Sequence, residues 1–302
     1  MLDVLIKAFS FFLIIVVGYL LKTYGVLQRS DSIALSKIMM NLTLPAAVIT
    51  GFASFKVDRS LLVLVLLGFL CNVLMLCVGF LFGRKRDNDT KALYMINSPG
   101  YNIGCFTLPY VQSFLGPAGI VATCLFDAGN SIMCTGGTYV AAANAVGIST
   151  GLKSAFLRLF SSIPFDIYLL MLVIALFGYR PPSQIAILTS IIGNANPFIA
   201  MLIIGMMLEI NINPSQFRHV MKIMAIRYSA GAVFAALFYF AVPLPLNVRQ
   251  VLAVAVFAPV SSLAPVFTAR CGKLGAVSSF AGSLSVFISI IIITTLLTLM
   301  HV

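Results

Sequence analysis

The sequence contains no tryptophan, two histidines and only eight carboxylates in 302 residues. With nineteen Lys and Arg, charged residues make up 9% of the chain. A soluble globular domain carries about a quarter, so that class is excluded. Enzymatic chemistry has little to stand on either. The sequence has no His-Glu-x-x-His run, no Gly-x-Ser-x-Gly elbow, no Walker loop and no acidic cluster for a metal. The two histidines, His219 and His301, both lie near the ends of apolar runs. No cofactor or metal is expected, the chain does not read as an enzyme, and ATP-driven pumping by this chain alone is ruled out. The six cysteines (Cys71, Cys77, Cys105, Cys124, Cys134 and Cys271) include no Cys-x-x-Cys pair and fall in or beside apolar segments. They read as packing thiols rather than as a disulfide framework.

What the chain does have is apolar length. It is 61% hydrophobic with a mean hydropathy of +1.08. The fold class implied is an all-α polytopic membrane protein whose solvent is mostly lipid. Ten segments have spanning length, at about 2–22, 32–54, 60–82, 90–114, 118–142, 155–177, 184–209, 219–242, 248–270 and 275–300. The first resembles a signal peptide only superficially. Asp3 and the lack of a basic stretch ahead of a short core make it the first span instead. Short polar connections separate the spans, among them Arg84–Asp89, Gly147–Lys153, Tyr179–Pro182, Asn211–Pro214 and Cys271–Lys273. Ten Tyr and twenty-four Phe must supply any aromatic belt.

The net charge of +11 is scattered in ones and twos, with no patch or arm for nucleic acid. Connections after odd-numbered spans, with the adjoining turns, hold Lys22, Arg29, Arg84, Lys85, Arg86, Lys91, Lys153, Arg158, Arg218, Lys222, Arg270 and Lys273. Those after even-numbered spans hold only Lys56, Arg59, Arg180 and Arg249. By the positive-inside rule the odd connections are cytoplasmic. Both termini are then extracytoplasmic, on a plasma (inner) membrane.

The two halves share punctuation. Asn41-Leu42-Thr43-Leu44-Pro45 in span 2 corresponds to Asn194-Ala195-Asn196-Pro197 in span 7. Pro99-Gly100 to Pro109 in span 4 corresponds to Pro259 to Pro265 in span 9. Five spans per half would insert the halves, 1–146 and 147–302, in opposite topology. Inverted repeats with Gly/Pro-interrupted helices at matching places point to a secondary transporter and to its binding site. Backbone freed from helical pairing cannot face lipid, so it lines a cavity or packs against protein. Asn102, Gly104 and Pro109 on one side, and Pro259, Ser261 and Ser262 on the other, are the candidate substrate contacts. Helix restarts there would offer N–H groups to an anion without any Lys or Arg. A proline that merely kinks a packed helix is the ordinary alternative. Asn41, Asn194 and Asn196 either contact substrate or repair hydrogen bonds that nearby prolines remove.

Charges inside spans are functional suspects. Asp127, mid-span 5, is a candidate carrier of a coupling proton, or a side chain capped by Asn130. Arg227, about eight residues into span 8, needs a partner such as Asp127 or a substrate carboxylate, unless it snorkels to the cytoplasmic face. Asp166 and Glu209 read as interfacial, and Lys37 and Arg270 as anchors at span ends.

The Asn41 to Pro45 run, the Asn-x-Gly-x-x-x-Leu-Pro run from Asn102 to Pro109, Arg227, and the Ala258-Pro259 to Pro265 break resemble the auxin efflux carrier family. The resemblance spans the whole chain. It implies spans 1, 2, 6 and 7 as a scaffold, and spans 3–5 and 8–10 as a mobile transport domain with broken helices 4 and 9 crossing at the site. It also implies a homodimer. The long hydrophilic loop after span 5 of the plant exporters is absent. Helix 4 has Asn97-Ser98-Pro99-Gly100 in place of a more regular Asn/Gly pattern, which points away from auxin itself and toward a compact prokaryotic member. The expectation is a carrier moving a small organic anion, a carboxylate such as a dicarboxylate or an auxin-like acid, by elevator-type alternating access. Alternatives are a sodium- or proton-coupled symporter of related fold, or a channel or sensor using the same site.

Overall fold

A computed structural model describes residues 2–210 and 214–300. Asn211–Asn213, within one of the connections noted above, and His301 lie outside the described residues. In chain order the helices of the first half are α1 (Leu2–Thr23), α2 (Asp31–Ser54), α3 (Arg59–Gly83), α4 (Asn88–Asn97), α5 (Leu108–Phe114) and α6 (Gly116–Ala145). They are followed by α7 (Leu152–Leu159), α8 (Ile163–Leu176), α9 (Ser183–Met207), α10 (Pro214–Phe240), α11 (Leu246–Ala255), α12 (Ala264–Cys271) and α13 (Gly275–Leu299). Among the described residues there is no β-strand, only one isolated bridge.

Among the described residues seven helices (α1, α2, α3, α6, α9, α10 and α13) are long and apolar enough to cross a bilayer. An eighth span arises if α7 and α8 count as one. The sequence suggests a continuous helix over 155–177, and here the structure corrects it. The chain bends by 70° between α7 and α8. Ser162 is extended (φ −92°, ψ 101°) and Pro164 sits in the first turn of α8, where a ring without an N–H starts a helix but cannot continue one.

Lipid does not drive apolar helices together, so close packing at small residues does. The α3–α6 pair shows this. A Cβ on Gly68 would run into the Phe126 carbonyl, and one on Gly129 into that of Val65. The bare backbones therefore touch, and Asn72 on α3 donates across to Asn130 on α6 at 3.1 Å. Elsewhere α1 packs on α9, α9 on α2, α10 on α11, and α12 on α13.

Two helices stop inside the bundle. α4 opens at Asp87, whose carboxylate accepts the Thr90 N–H at 2.9 Å. That bond holds the carboxyl below the ordinary carboxylate range. The helix ends at Asn97 with Ser98 still in helical conformation, because Pro99 has no N–H to continue the ladder. Gly100 then takes φ 79°, which a side chain would resist. Helical winding returns at Ile103–Thr107 as a π turn leading into α5. α11 stops at Ala255, and α12 restarts at Ala264 with Pro265 in its first turn. The two gaps cross. Tyr101 and Val260 form an antiparallel bridge. The Asn102 N–H donates to the Pro259 carbonyl at 3.0 Å, and the Ser261 N–H to that of Gly100 at 3.2 Å.

Candidate functional site

The crossing leaves two sets of unpaired backbone groups, and the structure treats them differently. On one side are carbonyls from the end of α4 and from the unwound segments that follow α4 and α11. The Arg227 guanidinium, on α10, collects them. Nη1 lies 3.2, 2.7 and 2.9 Å from the carbonyls of Asn97, Ser98 and Pro99. Nη2 lies 3.0 and 3.2 Å from those of Ala258 and Pro259. The guanidinium also rests over the Tyr101 ring, 5.3 Å from its centroid. The residue is only 4% exposed. Of the partners expected for Arg227, Asp127 does not pair with it. Helix C-termini carry partial negative charge, and five carbonyls replace one carboxylate.

On the other side the helices restart. The N–H groups of Gly104, Cys105 and Ser262 find no acceptor among the described residues. Gly104, Cys105 and Ser262 line a cavity of about 620 Å³. Three π turns supply part of its wall: Met40 and Asn41 from Met39–Thr43, Ile103 to Cys105 from Ile103–Thr107, and Cys134 and Thr135 from Met133–Gly137. Such turns are frequent at functional sites because they splay side chains off the helical ladder.

Of the residues singled out in the sequence, Asn41, Asn102, Gly104, Asp127, Ser261 and Ser262 converge on this cavity. The side-chain amides of Asn41 and Asn102 have no hydrogen-bond partner among the described residues. Pro109, Pro259, Asn196 and Arg227 do not line it. Pro109 sits buried in the first turn of α5. Pro259 serves through its carbonyl, shared by Asn102 and Arg227. Asn196 accepts from the Thr43 hydroxyl at 3.1 Å and approaches Gln112 at 3.4 Å, joining α9 to α2 and α5.

Asp127 is 6% exposed and half committed. Its Oδ1 accepts from Asn130 Nδ2 at 2.7 Å. Its Oδ2 faces Gly104, close to where a Cβ there would stand, and the Tyr168 hydroxyl is beside the same point. That hydroxyl is buried and makes no hydrogen bond. Asn130 does more than cap Asp127. Its Oδ1 accepts the Tyr101 N–H at 3.1 Å and its Nδ2 donates to the Tyr101 carbonyl at 2.9 Å, completing a strand-like pairing for the unwound residue. Asn72, on α3, donates to Asn130 Oδ1 at 3.1 Å and accepts the Gly100 N–H at 2.7 Å.

Sequence reasoning passed over Asn72, Tyr168, Arg158 and Arg270 as site residues. An amide inside the otherwise apolar α3 was the available signal for Asn72. Arg158 and Arg270 count in the sequence only toward topology, yet both line the cavity where Asp127 lies at depth and Arg270 is exposed. The Arg158 guanidinium lies over the stacked rings of Tyr139 and Phe267, 5.2 and 5.7 Å from their centroids. Among the described residues no group of His, Cys, Asp and Glu could hold a metal.

Comparison with known proteins agrees with a transport role. The family described as membrane transport protein matches residues 3–300. A protein of Methanothermobacter thermautotrophicus, described as an uncharacterized transporter, is 28% identical over 137 residues. That alignment covers 42% of this chain and 43% of the relative, so less than half of the relative's length is matched.

Proposed function

The chain belongs to the membrane transport protein family, that of the auxin efflux carriers, and on that premise we propose that it is a secondary carrier for a small organic anion. The carboxylate of the substrate rests in the cavity at the crossing. It accepts from the free N–H groups of Gly104, Cys105 and Ser262 and from the amides of Asn41 and Asn102. The observation that carries this reading is the pairing of unsatisfied donors with a cavity at one point of the bundle. Donors already fixed in place bind an anion with little reorganisation.

In this reading the interrupted pairs α4–α5 and α11–α12 are spans 4 and 9 of ten, in two inverted repeats. They move with α3, α6, α10 and α13 as an elevator past a scaffold of α1, α2, α7–α8 and α9. The α1–α9 and α9–α2 packing on one side, and the α3–α6 packing on the other, support that division. With Arg158 and Arg270 at its mouth, the cavity opens toward the basic, cytoplasmic side.

Asp127 favours proton coupling over potential-driven flux alone. An anion about 4 Å from an ionised carboxylate costs about 4 kcal/mol at an effective dielectric of 20. The anion therefore binds beside a protonated Asp127, and flux rises as pH falls through its titration. Asp127→Asn keeps an acceptor for Asn130 and is expected to transport with no pH dependence.

The test is uptake into proteoliposomes of labelled monocarboxylates, dicarboxylates and indole acids, under imposed potential and pH gradients. Movement of at least one anion class supports the reading. If no anion moves and none binds, it is wrong. A pH profile that survives Asp127→Asn removes the proton step and leaves the carrier.

A further inference from the structure

We propose that the Arg227 side chain is the resident cation of a carbonyl-lined site at the crossing, and that removing it uncovers a binding site for a monovalent cation. The inference concerns the ion at the crossing and does not depend on which substrate is carried.

α4 and α11 both stop inside the bundle, and the end of α4 together with the unwound segments after both helices directs carbonyls at one point. The end of α4 amounts to about half a negative charge, and the unwound carbonyls add the negative ends of their own dipoles, so the point favours a positive charge. Five backbone oxygens lie 2.7 to 3.2 Å from the two terminal nitrogens of one guanidinium. Unwound carbonyls and half-helix C-terminal ends are the ligands that hold sodium or protons in broken-helix carriers, and rings of carbonyls replace the hydration shell of alkali ions. The chemistry here is that of a cation site, and the occupant is covalently attached.

No carboxylate competes for the charge. The only ion pair among the described residues is Arg29 with Glu209 at 2.8 Å, at the surface. The choice of arginine is also explained. It is charged at all relevant pH values, weakly hydrated and forked, so one planar group reaches both sets of carbonyls while its face stacks on Tyr101. A tethered cation cannot dissociate. The crossing therefore stays assembled whatever the salt, and transport has no alkali-ion requirement at this point. The four hydroxyl and amide anchors around the gaps (Asn72, Asn130, Ser285 and Ser289) hold N–H and carbonyl groups but bring no charge.

The experiment is thermal unfolding of the purified full chain in chloride salts of choline, sodium, potassium and guanidinium at equal ionic strength. The wild-type midpoint is expected to be the same in all four at millimolar concentration. Arg227→Ala is expected to melt lower in choline and to recover about half or more of the loss, saturably, in guanidinium or sodium, as a ligand bound only by the folded state requires. Wild type stabilised by sodium over choline would overturn the proposal, as would an alanine variant that no cation rescues. Should Arg227→Ala fail to accumulate, Arg227→Lys and Arg227→Met decide. The charged variant is expected to accumulate and the neutral one of similar length is not, whereas equal yields would contradict a cation role.

Discussion

The two gaps at the crossing solve the same problem with different chemistry. The first, Ser98 to Asn102, is stitched to α3 and α6 by amides. Asn72 takes the Gly100 N–H, and Asn130 takes both backbone groups of Tyr101. The second, Val256 to Leu263, is stitched to α13 by hydroxyls. Ser285 accepts the Val260 N–H at 3.0 Å, and Ser289 donates to the Phe257 carbonyl at 2.6 Å. Tyr228 joins these two serines, 2.8 Å from the Ser285 carbonyl and 2.9 Å from the Ser289 hydroxyl. An amide donates and accepts at once, so one Asn can complete a peptide-like pairing and still reach a third group. Asn130 spends that capacity on Asp127. The serine hydroxyls reach no carboxylate. The amide-held gap thus connects backbone, carboxylate and cavity in one network, while the hydroxyl-held gap reaches the cavity through Ser261 and Ser262 without a carboxylate.

Three substitutions break or sharpen that contrast. Asn130→Ala should have the largest effect. It strands the Tyr101 N–H and one Asp127 oxygen in the bundle, while the Tyr101 carbonyl keeps the Ile103 N–H, and a buried unsatisfied group costs about 1–3 kcal/mol. Allowing for relaxation, a loss of about 2–4 kcal/mol is expected, read as a lower thermal midpoint. Ser285→Ala strands a single N–H and should cost about 1 kcal/mol by the same measure. Equal losses at the two sites would erase the distinction between amide and hydroxyl anchoring.

The smallest effect concerns how the two interrupted helices begin. α4 has a charged cap, Asp87, whereas α11 begins after Pro245 with no side-chain cap. Asp87→Ala should cost about 0.5–1 kcal/mol. Because the folded state holds this carboxyl below its ordinary range, its contribution is present at neutral pH and lost as pH falls below that range. Wild type and variant should therefore converge in acid, and a difference that persists there would rule out the charged cap.

Much of this was legible in the residues. Pro99, Gly100, Pro259 and Pro265 mark the gaps because ring and backbone sterics act locally, and Asn102 and Asp127 are conspicuous in apolar surroundings. The partners of Arg227 were not legible. Its ligands are carbonyls, which every residue carries, so no side chain announces them. Arg158 and Arg270 fit a topology count equally well whether they face water or a cavity. The bend before Pro164 was hidden because its apolar residues suit one long helix as well as two short ones. Asn196 looked like its counterpart Asn41, but only Asn41 sits in a π turn that swings its amide to the cavity.

The central claim is that the crossing itself holds the substrate. The most direct measurement compares Asn102→Ala with wild type for flux of the transported anion in proteoliposomes, alongside the thermal midpoint of each protein. The Asn102 amide has no other partner among the described residues, so the fold should be unaffected. Flux should fall about tenfold or more at low substrate, the equivalent of one hydrogen bond to a charged group. Unchanged flux with an unchanged midpoint would place the substrate elsewhere.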